Sequence, residues 1–277
     1  MKNEWKKVWT SKMFWAALGI GMILSLIQAF EHTGFVRDAV QQAEYKGYQH
    51  PCGYESITLN ILWMGVDGFS PVSSAFYLIL PILAAMPMAA SWYQERKNGY
   101  MYQTMVRSGS TMYFKGKWRI CFATGGLVIA IPLLLNLMVK AMICPMGRVT
   151  PLSLCSPLQG NFCSRLYYIF PLGYMGMVIL SGFLWGGICS VLALACSGKI
   201  KNPVLIIIFP FLIFLLIDVV LEFVQPNLPI NGYELSPLGL FLALDLKKNP
   251  LWETGIYMIG LYLIAKVLFG RKKHESL

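Results

Sequence analysis

The chain has 277 residues, of which 56% are hydrophobic and only 13% are charged, and its formal net charge is +10. A soluble domain carries about a quarter charged residues, so this composition argues against a soluble protein and favours a membrane protein. The basic residues stand at the ends of apolar runs and not in one patch, which argues against nucleic acid as a partner.

Six apolar runs are long enough to be helices that cross a membrane. They cover residues 13–30, 73–91, 120–139, 168–195, 203–223 and 252–269. The start of the chain, residues 1–12, is basic with Trp5 and Trp9 on one helical face, which predicts an N-terminal elbow helix in the membrane interface. A signal peptide is the alternative for a basic start before an apolar run, but no small-residue cleavage site follows it. The predicted fold class is therefore an all-α integral membrane protein, with residues 1–277 as a single transmembrane domain.

Three shorter features follow in chain order. Residues 57–66 lie in an acidic loop and predict a short helix against the membrane, too short to cross it. The second span contains Pro81 and Pro87, which predict kinks. Residues 238–246, between the fifth and sixth spans, predict a re-entrant or interfacial outer element, since irregular backbone at membrane depth must be covered by protein.

The distribution of Lys and Arg predicts the orientation of the chain. If the N-terminus lies inside, the inner segments hold most of the 23 Lys and Arg residues. A bias of this kind over short loops sets the orientation of membrane proteins. The Lys247–Lys248 pair runs against the pattern, but the opposite orientation fits less well. We therefore expect both termini on the cytoplasmic side of the cell membrane.

Residues 92–119 form a polar, basic segment between the second and third spans. The segment is too charged to enter lipid, yet Tyr100, Tyr102 and Met105 are more apolar than a plain linker requires. It predicts a cytoplasmic segment that docks on another protein. The alternative is an ordinary positively charged inner loop that lies on anionic lipid.

Four cysteines, Cys52, Cys144, Cys155 and Cys163, fall in predicted outer loops, where the compartment is oxidising. They predict at least one disulfide, with three possible connectivities among four cysteines. Cys155 and Cys163 are the closest pair. A metal site is not expected, because a closed set of thiolate or imidazole ligands is missing around them.

Nothing in the sequence predicts catalysis by this chain. It has no phosphate-binding G-x-x-x-x-G-K-[ST] loop, no H-E-x-x-H and no G-x-S-x-G. The charged residues of the fifth span, Asp218 and Glu222, are four apart and share one helical face near the outer boundary. They either reach outer water or line an exit cavity, with Lys140 as a candidate partner.

The topology and one motif resemble the permease subunits of ABC transporters with the type-2 exporter fold, a group that includes antibiotic and bacteriocin exporters. The family motif after the second span is an acidic residue, a glycine four later, a mostly apolar helix and then a basic residue. Here these are Glu95, Gly99, residues 100–106 and Arg107, followed by a lysine before the third span. Tyr100 and Ser108–Gly109 stand where the family often has a threonine and a proline.

The resemblance implies a two-part exporter. Two permeases, identical or homologous, form the pathway, and each contacts a separate ATPase subunit that binds ATP and Mg²⁺, so this chain itself needs no cofactor. The loop after the second span would couple to the ATPase through Glu95, Arg96, Gly99, Tyr100, Tyr102, Met105 and Arg107. The turn between the fourth and fifth spans would contribute Lys199 and Lys201.

Two other classes of function stay open. The first is a membrane sensor or immunity protein whose large outer loops bind a peptide without transporting it. A neighbouring ATPase gene would favour the transporter over this solitary binder. The second, an intramembrane enzyme, has weaker support because no paired catalytic residues occur at membrane depth.

Overall fold

The computed structural model describes residues 2–31, 33–34, 36–38, 41, 58–68, 70–144, 146–147, 149, 157, 161–198, 200, 202–225, 235–241 and 250–275. Within these ranges the regular structure is helical, without strands. The helices are α1 (Lys2–Thr10), α2 (Lys12–Glu31), α3 (Leu59–Leu62), α4 (Pro71–Ala85), α5 (Ala89–Lys97), α6 (Tyr100–Ser108), α7 (Ser110–Ile143), α8 (Ser164–Ile169), α9 (Pro171–Cys196), α10 (Pro203–Val224) and α11 (Leu251–Glu275). A 3₁₀ turn, Gly239–Phe241, precedes α11.

Five helical segments are long and apolar enough to cross a membrane: Lys12–Asp38, which includes α2, then α7, α9, α10 and Leu251–Gly270 of α11. The protein is thus all-helical and has the character of a multi-pass membrane protein. Helix α4 is equally apolar but has only 15 residues. It nevertheless lies inside the bundle, in contact with α2, α7, α9 and α10.

The second predicted span, residues 73–91, is not one continuous helix. Pro81 sits inside α4, but the helix ends at Ala85 and a turn over residues 86–88 separates it from α5. Pro87 lies in this turn. Proline has no N–H to donate, and its ring clashes with the preceding helical turn, so a helix commonly breaks there.

The third span is longer than predicted. Helix α7 begins at Ser110 and not near residue 120, so Lys115, Lys117 and Arg119 belong to its first turns. The fourth span begins at Pro171, which takes the first position of α9, and the separate helix α8 precedes it. Proline favours this position because its missing N–H would have no helical partner there.

Helices α7 and α9 approach each other through small residues. A Cβ atom placed on Gly125 would lie 2.6 Å from the carbonyl oxygen of Gly186, and one placed on Gly186 would lie 2.6 Å from that of Gly125. Any larger residue at Gly125 or Gly186 would clash, so glycine at both positions allows the two backbones to pack closely, as is common between membrane helices. Gly176, one of the other small residues of α9, faces open space instead.

Residues 58–67 are buried within the protein and do not form a helix on its surface. Only one helical turn, α3, is present, and Trp63 and Met64 are fully enclosed. The indole N–H of Trp63 donates to the carbonyl oxygen of Leu133 on α7 at 3.3 Å. The short helix predicted within residues 57–66 is present at Leu59–Leu62, but its predicted position on the surface is wrong, because this segment supplies core side chains between the longer helices.

Candidate functional site

The buried carboxylate of Glu95 joins three helices at one end of the bundle. Its Oε1 atom accepts hydrogen bonds from Lys117 Nζ at 2.8 Å and from Lys7 Nζ at 3.2 Å. Its Oε2 atom accepts from the hydroxyl of Tyr113 at 2.6 Å. We call Lys7, Glu95, Tyr113 and Lys117 the Glu95 cluster; it connects α1, α5 and the first turns of α7.

The charges of the Glu95 cluster compensate one another. Glu95 is 9% exposed and Lys117 only 1%. Burial by itself raises the pKa of Glu95, but attraction to Lys117, the hydrogen bonds from Lys117 and Tyr113, and attraction to Lys7 outweigh it, so the pKa lies below its ordinary value. The carboxylate therefore stays ionised, and it compensates a lysine that has almost no access to water.

Further contacts bring the other predicted inner segments to the same place. Lys7 Nζ also lies 3.9 Å from the centre of the Tyr100 ring, which holds α1 against the start of α6. Arg96 donates to the carbonyl oxygen of Gly198, in the turn between α9 and α10, at 3.2 Å. At the end of α11, Phe269 packs against Trp92 of α5, with ring centres 6.0 Å apart. The N-terminus, the basic segment, the α9–α10 turn and the end of α11 thus meet.

Helix α6 is flanked by a glycine at each end. Gly99 and Gly109 have φ values of +69° and +77°, which L-residues with side chains rarely adopt. Met101 is buried and Met105 half-buried on the inner side of α6. The opposite side of the helix exposes Tyr100, Tyr102, Gln103, Val106 and Arg107. We call this exposed side the α6 face.

The α6 face has an apolar centre. Tyr102 is 53% exposed and Val106 is 88% exposed. Both lie one helical turn apart on the same side, with Arg107 beside them. An exposed aromatic and aliphatic pair beside a basic residue is a composition typical of protein interfaces.

The structure thus divides the residues predicted to couple to a partner. Tyr102 and Arg107 point outward, and Tyr100 is exposed but lies beneath Lys7. Glu95 and Arg96 have partners within the chain, and Met105 packs against the core. Glu95 therefore holds α5 to α1 and α7 and does not form part of the α6 face. Lys199 and Lys201 lie outside the described residues.

The two acidic residues of the fifth predicted span line a polar pocket of about 320 Å³ at the other end of the bundle. Asp218 and Glu222 come from α10, and Gln225, Ser236 and Gly239 complete much of the lining. Asp218 is partly exposed and Glu222 is exposed. Lys140 is not one of the lining residues, so its predicted pairing with Asp218 and Glu222 is not found.

Lys140 belongs instead to a buried polar group that the sequence did not reveal. It is 1% exposed and interacts electrostatically with Asp67 and Glu31. Nearby, the amide nitrogen of Gln28 donates to Asp67 Oδ2 at 2.9 Å, and that of Asn136 donates to the Gln28 side-chain oxygen at 2.8 Å. Two residues of the sequence point to this group, because the amide side chains of Gln28 and Asn136 lie inside predicted spans, where polar side chains need partners.

The predicted disulfides receive no support. Cys144 and Cys163 are free thiols, and burial raises the pKa of each. Cys52 and Cys155 lie outside the described residues. Among the residues that the structure describes, no group of His, Cys, Asp and Glu side chains could hold a metal ion.

Comparisons with protein-family models, with curated proteins and with solved structures give no match to this chain.

Proposed function

We propose that this chain is the transmembrane permease subunit of an ATP-driven exporter with the type-2 ABC fold. In this proposal it forms the substrate pathway with a second permease and is driven by a separate ATPase subunit that carries ATP and Mg²⁺. The observation that supports it best is the α6 face, an exposed apolar surface. Its helix follows directly on α5, which the Glu95 cluster bonds to α1 and α7, and its first residue, Tyr100, lies under Lys7.

The proposal requires six crossings, with α4 and α5 together as the second one. Ser70, just before α4, donates through its hydroxyl to Glu31 at the end of α2, at 2.5 Å. Glu95, near the end of α5, binds Lys7, just before the start of α2. The segment from Ser70 to Glu95 therefore runs back along the whole length of α2. A helix broken at Pro87 can make this crossing because neighbouring helices enclose it.

The same contacts indicate which end would be cytoplasmic. The Glu95 cluster lies at the end of the bundle where the basic N-terminus, the basic segment and the basic end of α11 meet. The positive-inside rule places this end in the cytoplasm of the cell, with both termini. The α1 helix then serves as the interfacial elbow, and Gly239–Phe241 marks the proposed re-entrant outer element.

Coupling would proceed through the contacts of α5 and α6. An ATPase seated on Tyr102 and Val106 pulls on a helix whose neighbour, α5, is bonded to Lys7 and Lys117 through Glu95 and to the α9–α10 turn through Arg96. Displacement of one packed element is passed on when its contacts hold it to two or more others. The polar pocket at Asp218 and Glu222 would then belong to the outer exit.

The non-transporting sensor has one observation in its favour. The buried group around Asp67, Gln28 and Asn136 ties residues 58–68 to α2 and α7 at the proposed outer end, as a recognition surface requires. A sensor, however, has no need for an exposed apolar face at the cytoplasmic end.

Purification of the tagged chain in mild detergent, without crosslinker, tests the proposal when the bound subunits are identified by mass spectrometry. The parent is expected to retain an ATPase polypeptide. Val106→Asp should reduce the retained ATPase while the chain itself is made normally, since Val106 is exposed and does not pack in the core. Arg37→Glu, an exposed change at the opposite end, is the control and should retain it. An α6 face that binds no ATPase in the parent would reject the exporter and favour the sensor.

A further inference from the structure

An apolar groove of about 570 Å³ opens between α7, α9 and α11. Its walls include Trp118 and Phe122 of α7, Leu184 of α9, and Met258 and Tyr262 of α11. Lining residues of α11 such as Ile259 and Leu263 are themselves exposed, so the groove is open toward the side of the bundle. It runs along helices that are apolar enough to cross a membrane, so its opening would face lipid.

The end of this groove nearest the first turns of α7 is basic. Arg119 is the one charged residue among the described residues of its lining, and it is exposed. Lys115 lies one turn before Arg119 on α7, and Lys266 lies one turn after Tyr262 on α11; both are exposed. The nearby carboxylate of Glu95 is engaged by Lys117, Lys7 and Tyr113, and none of the lining residues is acidic.

A hydrogen-bond donor lies beside this charge. The indole N–H of Trp118 donates to the hydroxyl oxygen of Tyr262 at 3.2 Å. The Tyr262 hydroxyl thus accepts from Trp118 and has its own hydrogen to donate to an acceptor at the mouth of the groove.

We propose that this groove binds one anionic phospholipid, with an acyl chain along the apolar walls and the headgroup phosphate at Arg119. Apolar walls alone do not distinguish one lipid from another, because every phospholipid supplies an acyl chain. The charge at one end makes the distinction, since basic pockets between helices at the cytoplasmic side attract anionic headgroups. The inference uses the membrane setting of α7, α9 and α11 and the proposed cytoplasmic placement of this end, but not the ATPase, so the loss of ATPase binding and the loss of lipid retention are distinguishable results.

The test is native mass spectrometry of the purified chain, incubated with equal amounts of phosphatidylglycerol and phosphatidylcholine. The parent should retain phosphatidylglycerol in preference. Arg119→Gln should weaken that retention about fivefold, which corresponds to about 1 kcal/mol for one basic residue near an anionic headgroup. Arg37→Gln, the same change at an exposed arginine at the opposite end of the bundle, is the matched control and should retain phosphatidylglycerol as the parent does.

A further variant fills the groove without removing charge, and a second variant outside the groove is its control. A Cβ atom on Gly255, which lines the groove, meets nothing within 4 Å, and the same holds for Gly260. Gly255→Leu should fold and lose retention of both lipids. Gly260→Leu should also fold but should retain both lipids as the parent does. Equal retention of the two lipids by the parent, or the same retention in Arg119→Gln and Arg37→Gln, would overturn the proposal. So would a Gly255→Leu variant that keeps its lipid but changes the number of chains per complex, because the groove would then be an interface between copies.

Discussion

Glu95→Gln tests whether one buried carboxylate holds the cytoplasmic end of the bundle together. The substitution keeps the shape of the side chain and removes its charge, so Lys117, 1% exposed, loses its carboxylate partner. Removal of one member of a buried ion pair costs about 3–5 kcal/mol. For a protein of this size that corresponds to a melting temperature lower by roughly 6–20 °C.

The assay is thermal unfolding of the protein in detergent, with a double-mutant cycle that combines Glu95→Gln and Lys117→Met. The double variant removes both buried charges and should recover most of the lost stability, because Lys7 is partly exposed and can be solvated. Lys115→Met, at an exposed position two residues earlier, is the control for Lys117→Met and should melt like the parent. If Glu95→Gln also melts like the parent, the Glu95 carboxylate does not hold α1, α5 and α7 together.

The same carboxylate predicts a dependence of stability on pH. The pKa of Glu95 is lower in the folded protein than its ordinary value, so the folded state binds this proton less readily than the unfolded state. The stability that it contributes is present above the ordinary carboxyl pKa and is lost as the pH falls through the folded value. Glu95→Gln should remove this part of the acid sensitivity, and unfolding measured from neutral pH downward would show it.

Three further predictions concern packing and docking. Gly186→Ala should destabilise the protein by roughly 1–3 kcal/mol in thermal unfolding, because the new methyl group meets the α7 backbone, whereas Gly176→Ala should not. Asn136→Leu should cost about 1–3 kcal/mol for each buried group that loses its partner, and a melting temperature equal to that of the parent would contradict the hydrogen bonds described. Tyr102→Ala should leave the melting temperature unchanged and weaken ATPase binding, whereas Met101→Ala, on the buried side of α6, should cost about 2–5 kcal/mol; the two variants are compared by unfolding and by co-purification.

The sequence predicts long apolar helices well and their breaks poorly. The fifth predicted span, residues 203–223, coincides with α10 to within one residue, since Asn202 caps the helix and Pro203 starts it. The second span contains prolines at 81 and 87, and only Pro87 separates two helices. Which proline is accommodated depends on the helices packed around it, and a local pattern does not contain that information.

The composition of residues 92–119 predicts an unusual segment but not the orientation of its side chains. The partners of Glu95 are 88, 18 and 22 positions away along the chain, so its burial depends on how α1 and α7 fold back against α5. Substitutions at Glu95 are therefore not a clean test of docking. Glu95→Lys would place a third cation in the Glu95 cluster and disturb the fold, whereas Tyr102 and Val106 report on docking alone.

The central claim is that the α6 face binds an ATPase, and photo-crosslinking from Val106 tests it most directly. A benzophenone amino acid placed at Val106, 88% exposed, would be activated in intact membranes, with Arg37 as the control position at the opposite end. We expect an adduct from Val106 that contains an ATPase polypeptide, and none from Arg37. An adduct from Val106 with lipid only would show that the α6 face rests on the membrane surface and does not bind an ATPase.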